Sequence, residues 1–232
     1  MRRDRLAFGA REAIHRANTR LSGNVTAPQK PTVVGELTIP GFSEYMHPLD
    51  AGHLLTIGRD ENRQLALQIF DVTNAANPQR TFITAYTGGD YGSSDAEYDH
   101  KAFTYFADKQ LLAIPFYSYG SFGMHSSLEI FRIDVNSGIQ HLGDVDGTAL
   151  VSKYQNGYCG GYYGPSVRRG VFLDNTVYAI SYGGIAAKDV NNLGAPPVTF
   201  ALPYPQAADY YGAPIACVPP TDAGGGEVPP QK

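Results

Sequence analysis

The chain has 232 residues, 43% of them apolar and only 17% charged, which suffices for one domain with a sizeable core. Frequent Tyr, Phe, Gly and Pro, with no Trp, is the composition of short strands joined by turns; a helical protein would carry more Ala, Leu, Glu and Lys. A net charge of −4 with scattered Lys and Arg lacks the basic footprint of a nucleic-acid binder, and no run of about 20 apolar residues is present to span a membrane.

Residues 1–20 stand apart. They hold six Arg with Ala and Glu between them, and read as a basic head that is either disordered or a short helix. They contain no apolar run of the length a secretory signal needs.

From residue 21 a repeat of about 40–60 residues sets in. One recurring element is a short strand that ends in Asp and enters a turn. It occurs as Gln68-Ile69-Phe70-Asp71-Val72, as Phe131-Arg132-Ile133-Asp134-Val135, and as Ala187-Lys188-Asp189-Val190. A fainter copy is Leu21-Ser22-Gly23-Asn24, with Arg20 where the Asp should be. A second element is an apolar strand: Leu54-Leu55-Thr56-Ile57, Leu111-Leu112-Ala113-Ile114 and Val177-Tyr178-Ala179-Ile180. A tight turn precedes each copy, and a further strand precedes each turn: Glu44–His47, Glu97–Phe103 and Val167–Phe172.

The order strand, turn, apolar strand, loop, strand ending in Asp, turn, strand describes a four-stranded antiparallel unit the size of a propeller blade. One small twisted sheet cannot bury both faces alone, so such units stack around an axis. The expected architecture is all-β: a partial β-propeller of about three four-stranded blades plus a fragment. The blades fall at about 21–90, 91–150 and 151–203, and a Pro/Gly-rich tail follows at 204–232.

Several segments in order carry a family resemblance. They are Ile39–Leu49, Ile57-Gly58-Arg59-Asp60, Phe70–Thr73 with Asn77-Pro78, and Tyr98–Phe103 with Leu111–Pro115. Together they resemble bacterial and archaeal secreted proteins with a C-terminal β-propeller domain, a group distantly related to WD40 repeats. The likeness covers about residues 21–203, and Val167-Arg168-Arg169 with Asp189-Val190 fits its last blade. It implies a propeller and an extracytoplasmic setting, and it implies no particular activity. Such domains carry more blades upstream. Closed propellers need at least four, so the missing blades are expected from upstream sequence or from another chain.

His47 and His100 occupy equivalent places in two units, each two residues after a Tyr, with Glu44 and Glu97 also matching. Such positions either line a shared polar channel or fix neighbouring strands through hydrogen bonds. Asp90, Asp95, Glu97 and Asp99 sit in a Gly/Ser loop. Its spacing is not that of an EF-hand, so it reads as a solvated acidic loop, with Ca²⁺ as the one cofactor to consider. Tyr154, Tyr158, Tyr162 and Tyr163 among glycines resemble an adaptable recognition surface. Cys159 and Cys217 are either a disulfide or two free thiols. The candidate binding residues are His47, Asp99, His100, Arg168 and Tyr162.

No catalytic residue and no metal ligand set is assigned. There is no G-x-S-x-G elbow and no phosphate-binding glycine motif, and His125 beside Ser126 and Ser127 is a chance adjacency, because triads form in space. The expected function is a non-catalytic binding or scaffold module of the cell envelope with a protein or carbohydrate partner. The alternative is a hydrolase or lyase with a polar or metal site at the propeller channel.

Overall fold

A computed structural model of the chain describes residues 6–11, 17–24, 29–30, 32–86, 92–120, 123–150 and 166–202. Fifteen strands lie in these segments, and they form four antiparallel sheets. The first sheet has three strands: β1 (Leu6–Arg11), β2 (Ala17–Asn24) and β3 (Thr32–Pro40). The first blade holds β4 (Phe42–Pro48), β5 (His53–Arg59), β6 (Leu65–Asp71) and β7 (Gln79–Tyr86). The second holds β8 (Thr104–Phe106), β9 (Leu111–Gly120), β10 (Gly123–Asp134) and β11 (Gly138–Asp146). The third holds β12 (Val167–Leu173), β13 (Thr176–Ser181), β14 (Gly184–Asp189) and β15 (Val198–Ala201). Within every sheet, neighbours in sequence are neighbours in space.

Three expectations are corrected here. Leu6–Arg11 and Ala17–Arg20 are strand, where a disordered or helical head was expected: β1 pairs with β2 and β2 with β3, so each segment satisfies the backbone groups of the next. The first blade begins at Phe42 instead of residue 21. Gly41 marks the joint, with φ at +78° and a bare α-carbon where a Cβ would lie 2.3 Å from the Arg59 carbonyl oxygen. The third correction concerns register and follows below. The tail at 204–232 and both cysteines lie outside the described residues.

The recurring Asp is explained by its local chemistry. Asp71 Oδ1 accepts from the Thr73 amide at 2.8 Å, Asp134 Oδ1 from the Asn136 amide at 2.7 Å, and Asp189 Oδ1 from the Asn191 amide at 2.8 Å. Each is an Asx turn, in which the carboxylate stands in for a backbone acceptor and ends the third strand. The faint copy at Leu21–Asn24 lies in β2, and β3 follows it as β7 follows β6. Among the described residues, the three-stranded sheet thus matches the second, third and fourth strands of a blade.

Counting back three residues from each Asp reaches Gln68, Phe131 and Ala186. These pair with Thr56, Leu112 and Ala179. Thr56, Leu112 and Ala179 are thus equivalent, and the Leu111–Ile114 segment is one residue out of step with the alignment the sequence suggests. A one-residue shift exchanges the two faces of a strand. Leu112 and Ile114 accordingly face the first blade, while Ala113 faces the third.

With this register every blade has a backward face toward its predecessor and a forward face toward its successor. Leu55, Ile57, Leu67 and Ile69 on the forward face of the first blade pack against Leu112, Ile114, Phe131 and Ile133 of the second. Ala113, Leu128 and Ile130 on the forward face of the second pack against Val177, Ala179 and Ala186 of the third. Ile39 of β3 packs with Phe70 and Val72 of the first blade. Shape is matched as well as polarity: Gly138, at φ +96°, leaves room for Phe82 of the first blade, whose ring lies 2.7 Å from where a Cβ would stand.

Phe131 is fully buried in the seam between the first and second blades. Phe131→Ala is expected to lower the unfolding free energy by about 3–5 kcal/mol in urea titrations. A loss below about 1 kcal/mol would mean that the two blades do not share this core.

Candidate functional site

The first strands of the blades share a backbone irregularity. β4 pairs Ser43 with Gly58 and Tyr45 with Ile57, leaving Glu44 as an extra residue. β12 pairs Val167 with Ser181 and Arg169 with Ile180, leaving Arg168 extra. In the register above Gly58 corresponds to Ser181, so Glu44 and Arg168 are bulge residues at one position of the repeat. A bulge re-aims a side chain at the edge of a sheet.

The second blade spends far more residues at this level. Ser93 bridges to Tyr117, the chain then leaves the sheet, and pairing resumes only where Thr104 meets Ala113. The detour is built of two 3-10 turns, Asp95–Glu97 and His100–Ala102. This corrects the expected strand at Glu97–Phe103. Ser94 accepts from the Ala96 amide through its hydroxyl while Glu97 reaches back to the Ser94 amide, and Asp99 accepts from the Lys101 amide at 2.9 Å. Side-chain caps of this kind compete with strand pairing and win here.

Charged side chains from three blades meet on this detour. Arg59, at the end of β5, grips the buried Glu97 with two bonds, Nε to Oε1 at 2.7 Å and Nη2 to Oε2 at 2.6 Å. Its remaining protons reach the Gly92 carbonyl at 2.8 Å, Ser93 Oγ at 3.2 Å and the Arg63 carbonyl at 3.3 Å. Burial pushes the Glu97 carboxyl up from its ordinary value, and Arg59 pulls against that shift. On the other side, Arg168 Nε lies 3.0 Å from Asp95 Oδ2. That approach lacks the line of a hydrogen bond, so this buried oxygen keeps an unused acceptor position. The Asp95 carboxyl is raised by burial, opposed by Arg168 and reinforced by Asp99. Arg169 Nη2 stands 3.8 Å from Asp99 Oδ2. The detour is thus held by the first blade through Arg59 and by the third through Arg168 and Arg169.

The candidates fall out as follows. Asp99, His100 and Arg168 come to this edge, with Asp99 and His100 exposed. His47 is not the counterpart of His100. His47 pairs with Leu55, Phe106 with Leu111 and Val171 with Tyr178, which makes His47, Phe106 and Val171 equivalent. His47 behaves accordingly as a packing residue between blades. Its ring lies 5.4 Å from that of Phe103 and 5.5 Å from that of Tyr105, and its Nδ1 is 3.3 Å from the Tyr45 hydroxyl. Tyr162, with Tyr154, Tyr158 and Tyr163, lies outside the described residues, as does Asp90. Among the described residues no three His, Cys, Asp or Glu side chains converge as metal ligands.

Sequence reasoning missed a second polar cluster, in the seam between the first and second blades. Glu129 is buried on β10. Ser127 Oγ donates to its Oε1, His141 Nε2 lies 2.7 Å from its Oε2, and Tyr86 of the first blade bonds to it as well. In a nucleophilic relay the imidazole stands between the serine and the acid. Here the carboxylate stands between the serine and the imidazole, so the set fastens β10 and β11 to β7. His125 turns elsewhere, with Nδ1 3.1 Å from Thr148 Oγ1.

The family model for the beta propeller domain matches residues 24–193. The chain belongs to the beta propeller domain family. It is 25% identical over 165 residues to an uncharacterised protein of Methanocaldococcus jannaschii (MJ1554), covering 71% of this chain and 22% of that protein. It is 39% identical over 56 residues to an uncharacterised protein of Archaeoglobus fulgidus, covering 24% of this chain and 9% of that one. The propeller chain therefore spans less than a quarter of the length of these relatives.

Two histidines give the propeller opposite responses to pH. Burial lowers the His47 pKa, so its share of stability is complete above about pH 6.5 and is lost as pH falls through the lowered value. The Glu129 hydrogen bond raises the His141 pKa against the effect of burial, so its share is complete below about pH 6.5 and is lost as pH rises through the raised value. Urea midpoints measured from pH 5 to 8.5 are expected to show less acid loss in His47→Phe and less alkaline loss in His141→Gln than in the parent. Curves parallel to the parent in both variants would refute the assignment.

Proposed function

We propose that this propeller chain is a non-catalytic binding or scaffold module of the cell envelope, exported, and part of a larger propeller-bearing protein. The greater length of the two archaeal relatives supports the last point. The resemblance to secreted propeller proteins supports the location.

The observation that carries the binding role is the rim of the first-strand edge. Its charges are largely spent on one another, Arg59 with Glu97, Arg168 with Asp95 and Arg169 with Asp99. What this leaves toward solvent is Tyr98, 76% exposed, His100 two residues further on, and the half-exposed guanidinium groups of Arg168 and Arg169. Tyr and Arg on a surface are among the residues that dominate recognition energetics. Guanidinium, imidazole and phenol together suit a ligand that offers hydroxyl or carboxylate oxygens and a flat apolar face, as a carbohydrate or a polar protein surface does.

One feature favours the alternative of a hydrolase or lyase. Asp95 has a raised pKa and an unused buried oxygen, as a general acid needs. A glycan array probed with the parent chain separates the two readings. The binding role predicts retention of one glycan class, weakened at least about tenfold by Tyr98→Ala and by Arg169→Ala with unfolding midpoints unchanged. Glycan cleavage abolished by Asp95→Asn in a folded protein would contradict it, as would retention that both surface variants leave intact.

A further inference from the structure

The backward face of the first blade departs from the repeat. Thr56 and Gln68 stand where the second blade has Leu112 and Phe131 and the third has Ala179 and Ala186. Arg80, opposite Phe70, corresponds to Ile139, opposite Ile133. Leu112, Phe131 and Ile139 pack in an apolar seam. Their three counterparts are polar. Ser43 Oγ donates to Thr56 Oγ1 at 2.9 Å, Thr56 lies opposite Gln68, and Arg80 Nη1 donates to Gln68 Oε1 at 3.2 Å. A polar row thus crosses all four strands of this blade. Buried polar groups are costly unless fully paired, so a row of them at core positions of a repeat is the expected signature of a functional site.

The row ends at a cleft. Arg80, Ile83 and Ala85 on β7, Pro40 at the end of β3, and Asp60 and Glu61 in the turn after β5 line a space of about 320 Å³. That volume is at the small end of ligand sites. Gln68 is fully buried, and its Nε2 has no acceptor, so the row ends in unspent donors beside the cleft. Gln68 Oε1 pins one arm of the Arg80 guanidinium, whose other protons find no acceptor among the described residues. Asp60 spends Oδ1 on the Asn62 and Gln64 amides, at 2.9 and 2.8 Å, and the exposed Glu61 has no side-chain partner among the described residues. Opposite charges thus line one small cleft, yet no ion pair joins Arg80 to either acid among the described residues. A lone anion would meet Asp60 and Glu61, and a lone cation would meet Arg80. A small molecule that carries both charges satisfies both ends.

We propose that this cleft binds a free α-amino acid with an apolar side chain. Arg80 takes the carboxylate, Glu61 with Asp60 takes the ammonium group, and Ala85 and the 43% exposed Ile83 take the side chain. The site shares no side chain with the charged rim.

Isothermal titration calorimetry of the full chain with L-leucine tests this. Saturable binding with a Kd below about 1 mM is expected. Leucinamide, which lacks the carboxylate, and isocaproate, which lacks the ammonium group, are each expected to bind at least about tenfold more weakly, because each loses a charge-assisted hydrogen bond. Arg80→Gln and Glu61→Gln are expected to weaken leucine binding by a similar factor. Glu61 is exposed, so its variant keeps the test valid should Arg80→Gln unfold, which far-ultraviolet circular dichroism would report. No saturation up to about 10 mM leucine, either analogue binding as tightly as leucine, or an affinity that a folded variant leaves intact would overturn the inference.

Discussion

A four-stranded sheet presents two faces to its surroundings, and in the second blade both are apolar. Leu112, Ile114 and Phe131 point one way; Ala113, Leu128 and Ile130 point the other. Neither set reaches the other through the sheet, so the blade is stable only between two others, each seam removing apolar area from water at about 25 cal/mol per Å². The alternation of side chains along β9 and β10 supplies this constraint, and the stacking of the propeller follows from it.

The polar edge depends on those seams. Arg59, Glu97, Asp95 and Arg168 come from three different blades, and only the packing of Leu55 and Ile57 against Leu112 and Phe131 puts the first of them within reach of the others. A buried carboxylate without its guanidinium is costly, so the charged lattice is rigid for the same reason that the core is. A rigid rim loses little entropy when it meets a ligand. The bulges at Glu44 and Arg168, and the longer detour that takes their place in the second blade, bring these groups to a common level without disturbing the apolar ladder behind them.

Much of this was legible in the residues. The recurrent Asp followed by Thr, Asn or Ser has a local cause, the Asx turn, and local causes survive without knowledge of the fold. The count of three blades and a fragment followed from the length of the repeat. The register of the second blade was not legible, because Leu111-Leu112-Ala113-Ile114 is apolar on both faces and offers no alternation to fix its phase. Glu97–Phe103 reads as a strand from its aromatic and apolar content, yet Ser94, Glu97 and Asp99 hold it in turns, and the capping signal is short. The likeness of His47 to His100 was a coincidence of spacing across that detour. The pairing of Arg59 with Glu97 and the Glu129 cluster carried no signal in sequence, since Glu97 lies 38 residues from Arg59 in a turn of the next blade and His141 lies 12 residues from Glu129 on the neighbouring strand.

The central claim, that the blades are stabilised by covering one another, is most directly tested by native-state hydrogen exchange resolved by segment. The account predicts that amides of β9 and β10, covered on both sides, exchange only through global unfolding, whereas those of β15, exposed along its length, exchange through local opening at far lower free energy. Equal protection of β15 and β10, or faster exchange in β10, would contradict it.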